Sequence, residues 1–94
     1  MNIDFSGTVS VFQKYHIKKA SLFGSYARGE ATVDSDVDVL IDPPERMTLF
    51  DLAGMKLDLE KILCKSVDVV TYNGLSPLLK KYILADQKVL YEKR

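Results

Sequence analysis

Hydrophobic positions along the chain change period several times, and each change marks an element. Phe5, Val9 and Phe12 recur at i, i+4 and i+7, the spacing of one helical face, with Ser6 near the expected cap. The segment TVSVF also alternates like a strand, so the pattern alone leaves both readings open. Lys18 to Phe23 reads as a strand stopped by Gly24, and Ser25 to Gly29 as a tight or helical turn between two glycines. Asp36 to Asp42 alternates at first and then meets Pro43-Pro44, a strand with a firm end. Thr48 and Asp51 have the spacing of a capping box, ahead of an apolar stripe of Leu52, Met55, Leu59, Ile62 and Leu63. Gly54 interrupts that helix at a cost of about 1 kcal/mol. Ser66 to Tyr72 predicts a third strand, closed by Asn73-Gly74. Pro77 to Leu84 predicts a last helix with proline in its first turn, and Lys88 to Tyr91 a short edge strand.

This order of elements predicts an α/β (α+β) fold, a small mixed β-sheet with helices packed against it, as a single domain over residues 1–94. No repeat, low-complexity tract or linker interrupts it. Apolar residues make up 47% and charged residues 28%, the balance of a globular chain. Thirteen Lys+Arg against thirteen Asp+Glu give zero net charge. A nucleic-acid coat or a polybasic membrane binder needs a positive excess, so neither direct nucleic-acid binding nor membrane binding is expected. No apolar run approaches the ~18 residues of a membrane helix. MNIDFSGTVS lacks the basic-then-apolar order of a signal peptide. Cys64 is the only cysteine, which excludes an intrachain disulfide and fits a reducing cytoplasm. Cys64 is expected as a small core residue, and His16 as a surface residue at a helix end.

Neutrality hides an uneven distribution. Glu30, Asp34, Asp36, Asp38 and Asp42 follow one another with no base between them, while Lys80, Lys81, Lys88, Lys93 and Arg94 meet only Asp86 and Glu92. The basic cluster reads as a solvated face. The acids differ because they fall inside an apolar run. Strand alternation puts Asp36 and Asp38 on one face, with Cα atoms roughly 6.5–7 Å apart. Two such charges repel and lose hydration unless a cation compensates. An oxygen-only donor set suits a hard ion such as Mg²⁺. Asp68, between Val67 and Val69, repeats the pattern, and adjacent strands would bring three carboxylates to one patch. A lone D-x-D can equally face water on an open sheet; the third acid and the upstream turn weigh against that. In that turn Gly24 lets the backbone approach a bound group, and a helical turn after it aims N–H groups at an anion. Ser25 adds a donor, and Arg28 a fork suited to phosphate. An anion cradle beside an acidic metal site is what nucleotidyl transfer requires.

GSYARGEATVDSDVDVLID, residues 24–42, resembles the signature of the minimal nucleotidyltransferases of the DNA polymerase beta-like superfamily. VDVV around Asp68 is similar to the family's later acid-bearing strand, and KVLYEK to its usual ending. The resemblance implies a palm-like nucleotidyltransferase fold in which Asp36 and Asp38 bind two Mg²⁺ ions. Asp68 then ligates one of them and helps deprotonate the acceptor hydroxyl, while Gly24 and Ser25 hold the triphosphate of ATP. Arg28 either contacts phosphate or braces the turn by pairing with an acid, and Tyr26 either stacks on a base or packs inside. Larger relatives add a domain for the acceptor; residues 73–94 are too few for one, so another molecule is expected to present it.

Small chains of this type resemble the antitoxin half of HEPN/MNT toxin–antitoxin pairs. The implied function is transfer of AMP from ATP to a tyrosine of a helical HEPN toxin, within a hetero-oligomer. Two other readings stay open: a binding-only antitoxin that blocks the toxin sterically, and the catalytic subunit of a two-chain enzyme modifying an aminoglycoside-like small molecule. The intact set of acids favours an enzyme. For a partner surface, Leu78, Leu79, Tyr82 and Ile83 exceed what one face of a short helix buries, with Lys80 and Lys81 able to steer an acidic partner.

Overall fold

A computed structural model describes residues 3–93. Met1, Asn2 and Arg94, the last a member of the basic C-terminal cluster, lie outside the described residues. The elements follow the expected order: α1 (Thr8–Lys14), β1 (Lys19–Phe23), α2 (Gly24–Arg28), β2 (Val37–Asp42), α3 (Leu49–Leu63), β3 (Val67–Thr71), α4 (Pro77–Asp86) and β4 (Lys88–Glu92), with a 3₁₀ turn at Tyr72–Gly74. The sheet order is β3-β2-β1-β4. β1 is antiparallel to both β2 and β4, while β2 and β3 run parallel, joined through α3. The mixed α/β architecture predicted from the pattern is the one observed.

TVSVF is helical, because Val11 and Phe12 reach the core only from a helix laid on the sheet. The cap of α1 is Gly7 rather than Ser6, and no side chain caps it. α3 begins with the expected capping box. The Asp51 amide donates to Thr48 Oγ1 at 3.1 Å, and the Thr48 amide donates to Asp51 Oδ2 at 3.0 Å. Met55, Leu59 and Leu63 carry the helix into the core, against Val37, Val39, Ile41 and Val67 of the sheet. The opposite sheet face holds a second register row, in which buried Ser21 of β1 pairs with buried Leu40 of β2.

Two expectations fail at α3. Ile62 leaves the apolar stripe and is 43% exposed, because the buried face narrows to Leu59 and Leu63 as the helix reaches its end. Cys64 is exposed rather than in the core. It caps the helix in the left-handed region at φ 55, which turns its side chain outward after Leu63 has closed the core. His16 is exposed just past α1, also at positive φ.

Candidate active site

The site assembles where β1 ends and β2 and β3 begin. Cross-strand register places Phe23 opposite Asp38, and Asp38 opposite Asp68. Register neighbours share a face, so Asp38 and Asp68 stand side by side on strands spaced about 4.8 Å apart. Asp36 lies just ahead of β2 rather than inside it, and is exposed. The strand therefore presents one carboxylate, and the segment leading into it presents the other.

Gly24 follows Phe23 and opens α2 at φ +72. A Cβ built there would collide with the Asp38 carboxylate. Glycine is thus required twice, for the backbone angle and for the space the acid occupies. This close approach joins the turn and the carboxylates into one site. Ser25 follows, half-buried, and its hydroxyl has no partner among the described residues. No side chain caps the start of α2.

Burial first, and then the neighbouring carboxylates of Asp68 and Asp36, push the Asp38 carboxyl above its ordinary value; Arg28 offsets part of this. None of the three acids has an ion pair or hydrogen bond among the described residues. Arg28 is engaged elsewhere. Its Nε meets Glu30 at 3.2 Å and its Nη1 meets Asp86 of α4 at 3.8 Å, so it braces α2 against α4. Tyr26 is buried, edge-on to Phe5 at 6.2 Å, with the Lys65 ammonium 5.9 Å from its ring centre. It packs.

Asp38 and Asp68, but not Asp36, line a groove of about 530 Å³ between β3, an edge strand, and the first half of α3. Phe23, Asp38, Asp68 and Val70 line it from the sheet, and Leu49 and Lys56 from the helix. Lys56 and Leu49 were invisible to the sequence reading: a lysine flanking an amphipathic stripe looks like any solvated lysine, and only the crossover of α3 brings it to the acids. Among the described residues no three of His, Cys, Asp and Glu form a ready metal cluster. The donor set nonetheless fits Mg²⁺, which takes one or two carboxylates and completes its shell with water and phosphate oxygens. Asp38 and Asp68 stand in register without an ion pair among the described residues, and a bound cation would relieve the burial and repulsion that raise the Asp38 carboxyl.

The glycine–serine turn thus presses against the paired acids at one end of the mixed sheet. Residues 8–94 match the family described as Polymerase beta, Nucleotidyltransferase, and the chain belongs to that family. A Methanocaldococcus jannaschii protein, provisionally named a protein adenylyltransferase, is 47% identical over 76 residues, covering 81% of this chain and 82% of its own. A solved structure described provisionally as a minimal nucleotidyltransferase is 38% identical, with a TM-score of 0.82 over 89% of this chain and 86% of its own. A chain from the complex of a tri-AMPylated Shewanella oneidensis HEPN toxin with its MNT antitoxin shares the fold, with a TM-score of 0.72 at 18% identity over 95% of this chain and 70% of its own. No helix among the described residues is long and apolar enough to cross a membrane.

Proposed function

We propose that this protein is a Mg²⁺-dependent adenylyltransferase that moves AMP from ATP onto a tyrosine hydroxyl of a HEPN-domain toxin, and so acts as its cytoplasmic antitoxin. The observation that carries the reading is the close approach of Gly24 to Asp38, with Asp68 in register beside it. It supports one site with three neighbouring stations. Gly24 and Ser25 receive the triphosphate, Asp36 and Asp38 hold the metal, and Asp68 shares a ligand position and faces the acceptor. When bound, two Mg²⁺ ions would offset the charge of the triphosphate and of the departing pyrophosphate. The acceptor oxygen bonds to the α-phosphorus, pyrophosphate leaves, and the hydroxyl proton passes to the Asp68 carboxylate. Arg28, held by Glu30 and Asp86, keeps the turn in place. The relatives support this reading through their adenylyltransferase name and through the AMPylated toxin of the fold-related complex. The chain acts as one minimal nucleotidyltransferase domain whose acceptor comes from the partner.

The test is incubation with the HEPN-domain protein of the same genome, ATP and Mg²⁺, followed by mass spectrometry of both chains. The expected result is a gain of one or more AMP units on a partner tyrosine, absent in EDTA. An unmodified partner under these conditions sinks the proposal.

A further inference from the structure

The two acids proposed to hold the metal are not fixed alike. Asp38 belongs to β2, whereas Asp36 ends a segment, residues 29–36, that has no helix or strand of its own. A carboxylate on irregular backbone serves an ion well only if something else fixes that backbone. Two tethers flank Asp36, and both lead to the junction of α3 and β3. The Val37 amide donates to the Ser66 carbonyl at 3.0 Å, and the Lys65 ammonium donates to the Val33 carbonyl at 2.8 Å. Between them the chain closes a turn on itself. The Ser35 amide donates to the Thr32 carbonyl at 3.1 Å, and the Thr32 amide donates to Ser35 Oγ at 2.9 Å. Lys65 also reaches α2: its ammonium lies 5.9 Å from the ring centre of buried Tyr26, within the range of a cation–π contact. It makes no ion pair among the described residues, so its charge is directed at a carbonyl and a ring rather than at a carboxylate. Tyr26 comes two residues after Gly24, Val33 three before Asp36, and Asp68 three after Lys65 itself. One side chain thus joins the segments that carry the glycine–serine turn and the acids.

We infer that Lys65 is a positioning residue: its ammonium fastens the segment ahead of β2 to the α3–β3 junction and to α2, and so holds Asp36 beside Asp38 for the cation. It acts through the backbone at Val33 and needs no contact with substrate or ion. The effect belongs to the ammonium, because a carbonyl and an aromatic face both attract a cation, and a neutral stem offers them little. The repulsion between Asp36 and Asp38 makes the tether matter. A loose segment would relieve that repulsion by carrying Asp36 away from Asp38, and the ion would then find one carboxylate in place instead of two. The inference rests on the reading of Asp36 as a metal ligand in the proposed transfer, and adds the residue that keeps it there.

The test compares the whole chain with Lys65→Met, with Lys65→Arg and with Lys61→Met, a control that removes an exposed charge from the same end of α3. In EDTA, NMR order parameters report the backbone of residues 33–36. At a fixed ATP concentration, calorimetry gives the Mg²⁺ concentration that half-saturates nucleotide binding. In Lys65→Met the order parameters should fall from about 0.85, the rigid range, to below about 0.6. Its Mg²⁺ midpoint should rise about ten-fold or more, the usual cost of losing the support behind a metal ligand. Lys65→Arg keeps a cationic donor and should stay near wild type in both measurements, as should Lys61→Met. Thermal melts in EDTA check that each variant is folded, and Lys65→Gln replaces the methionine variant should that chain melt below the assay temperature. A lysine that only stabilised the fold would lower the melting temperature and leave the Mg²⁺ midpoint unchanged; that result, or a segment that stays rigid in Lys65→Met, overturns the inference and spares the transfer reading. Equal losses in Lys65→Met and Lys65→Arg also overturn it, because packing rather than the ammonium would then be at work. If wild type itself binds ATP with no need of a divalent ion, the reading of Asp36 as a metal ligand fails and the inference falls with it.

Discussion

Alanine at Gly24 would meet two obstacles, a left-handed backbone that costs a side chain roughly 1–2 kcal/mol and a collision with Asp38. Gly24→Ala should therefore lower the melting temperature and also weaken Mg²⁺–ATP binding, both measurable by calorimetry. A variant that binds nucleotide like wild type would separate the turn from the site. Asp38 makes the opposite prediction for stability. Its carboxyl is raised above 3.8 in the folded protein, so the native state binds the proton more tightly than the unfolded chain does. The ionised acid accordingly destabilises the fold, by an amount that sets in as pH rises from 3.8 through the raised value and persists above it. In EDTA, Asp38→Asn should melt higher than wild type at neutral pH, and the gain should shrink as pH falls towards 3.8. A gain independent of pH would deny that charge is the cause. Asp68→Asn is nearly isosteric and should bind the partner while slowing transfer by ~10²–10⁴-fold, the usual effect of losing a general base. Growth rescue of toxin-expressing cells by that variant at ordinary levels would show that binding alone neutralises the toxin.

At the scale of elements, Gly54 is an oddity that the packing explains. A Cβ there would lie 2.9 Å from the Tyr15 hydroxyl, which is itself held by Asp58 Oδ2 at 3.0 Å. α1 and α3 are thus clamped through Tyr15, Lys14 and Asp58, with glycine making room for the ring. Gly54→Ala removes a helix penalty of about 1 kcal/mol but displaces that hydroxyl. The expected outcome in thermal melts is no gain for Gly54→Ala in the wild-type background and a clear gain in Tyr15→Phe. Equal gains in both backgrounds would show that the contact carries no weight. The far end of α3 is tied differently. Glu60 Oε2 accepts from the Val67 amide at 3.0 Å, fixing the point where the chain turns into β3 and hence where Asp68 stands.

Over the whole molecule, the buried face of the sheet and its covering helices do one thing for the site: they hold β1, β2 and β3 in register. Met55 and Leu59 are fully buried under α3, against Val37, Val39 and Ile41. Met55→Ala should cost about 2–5 kcal/mol, a large part of the roughly 5–15 kcal/mol that keeps a small domain folded. Denaturant melts should show a lower midpoint with an unchanged slope, and a changed slope would mean that the fold itself had altered.

Local pattern determined a good deal of this protein. Alternation and helical spacing are short-range properties of the chain, so the strands, the capping box at Thr48 and a turn between Gly24 and Gly29 could be read before any contact was known; that the turn is helical was settled by the structure. The acids Asp36, Asp38 and Asp68 stood out because charge inside an apolar run is costly wherever the run ends up. Their pairing, however, required β2 and β3 to lie parallel in one register, a long-range choice made when α3 buries Met55 and Leu59. The same packing turned Cys64 outward at a helix end, left Ile62 partly in water and set Arg28 between Glu30 and Asp86. It also carried Leu49 and Lys56 to the groove beside the acids, because a side chain's neighbours across the fold are chosen by the burial of all the others.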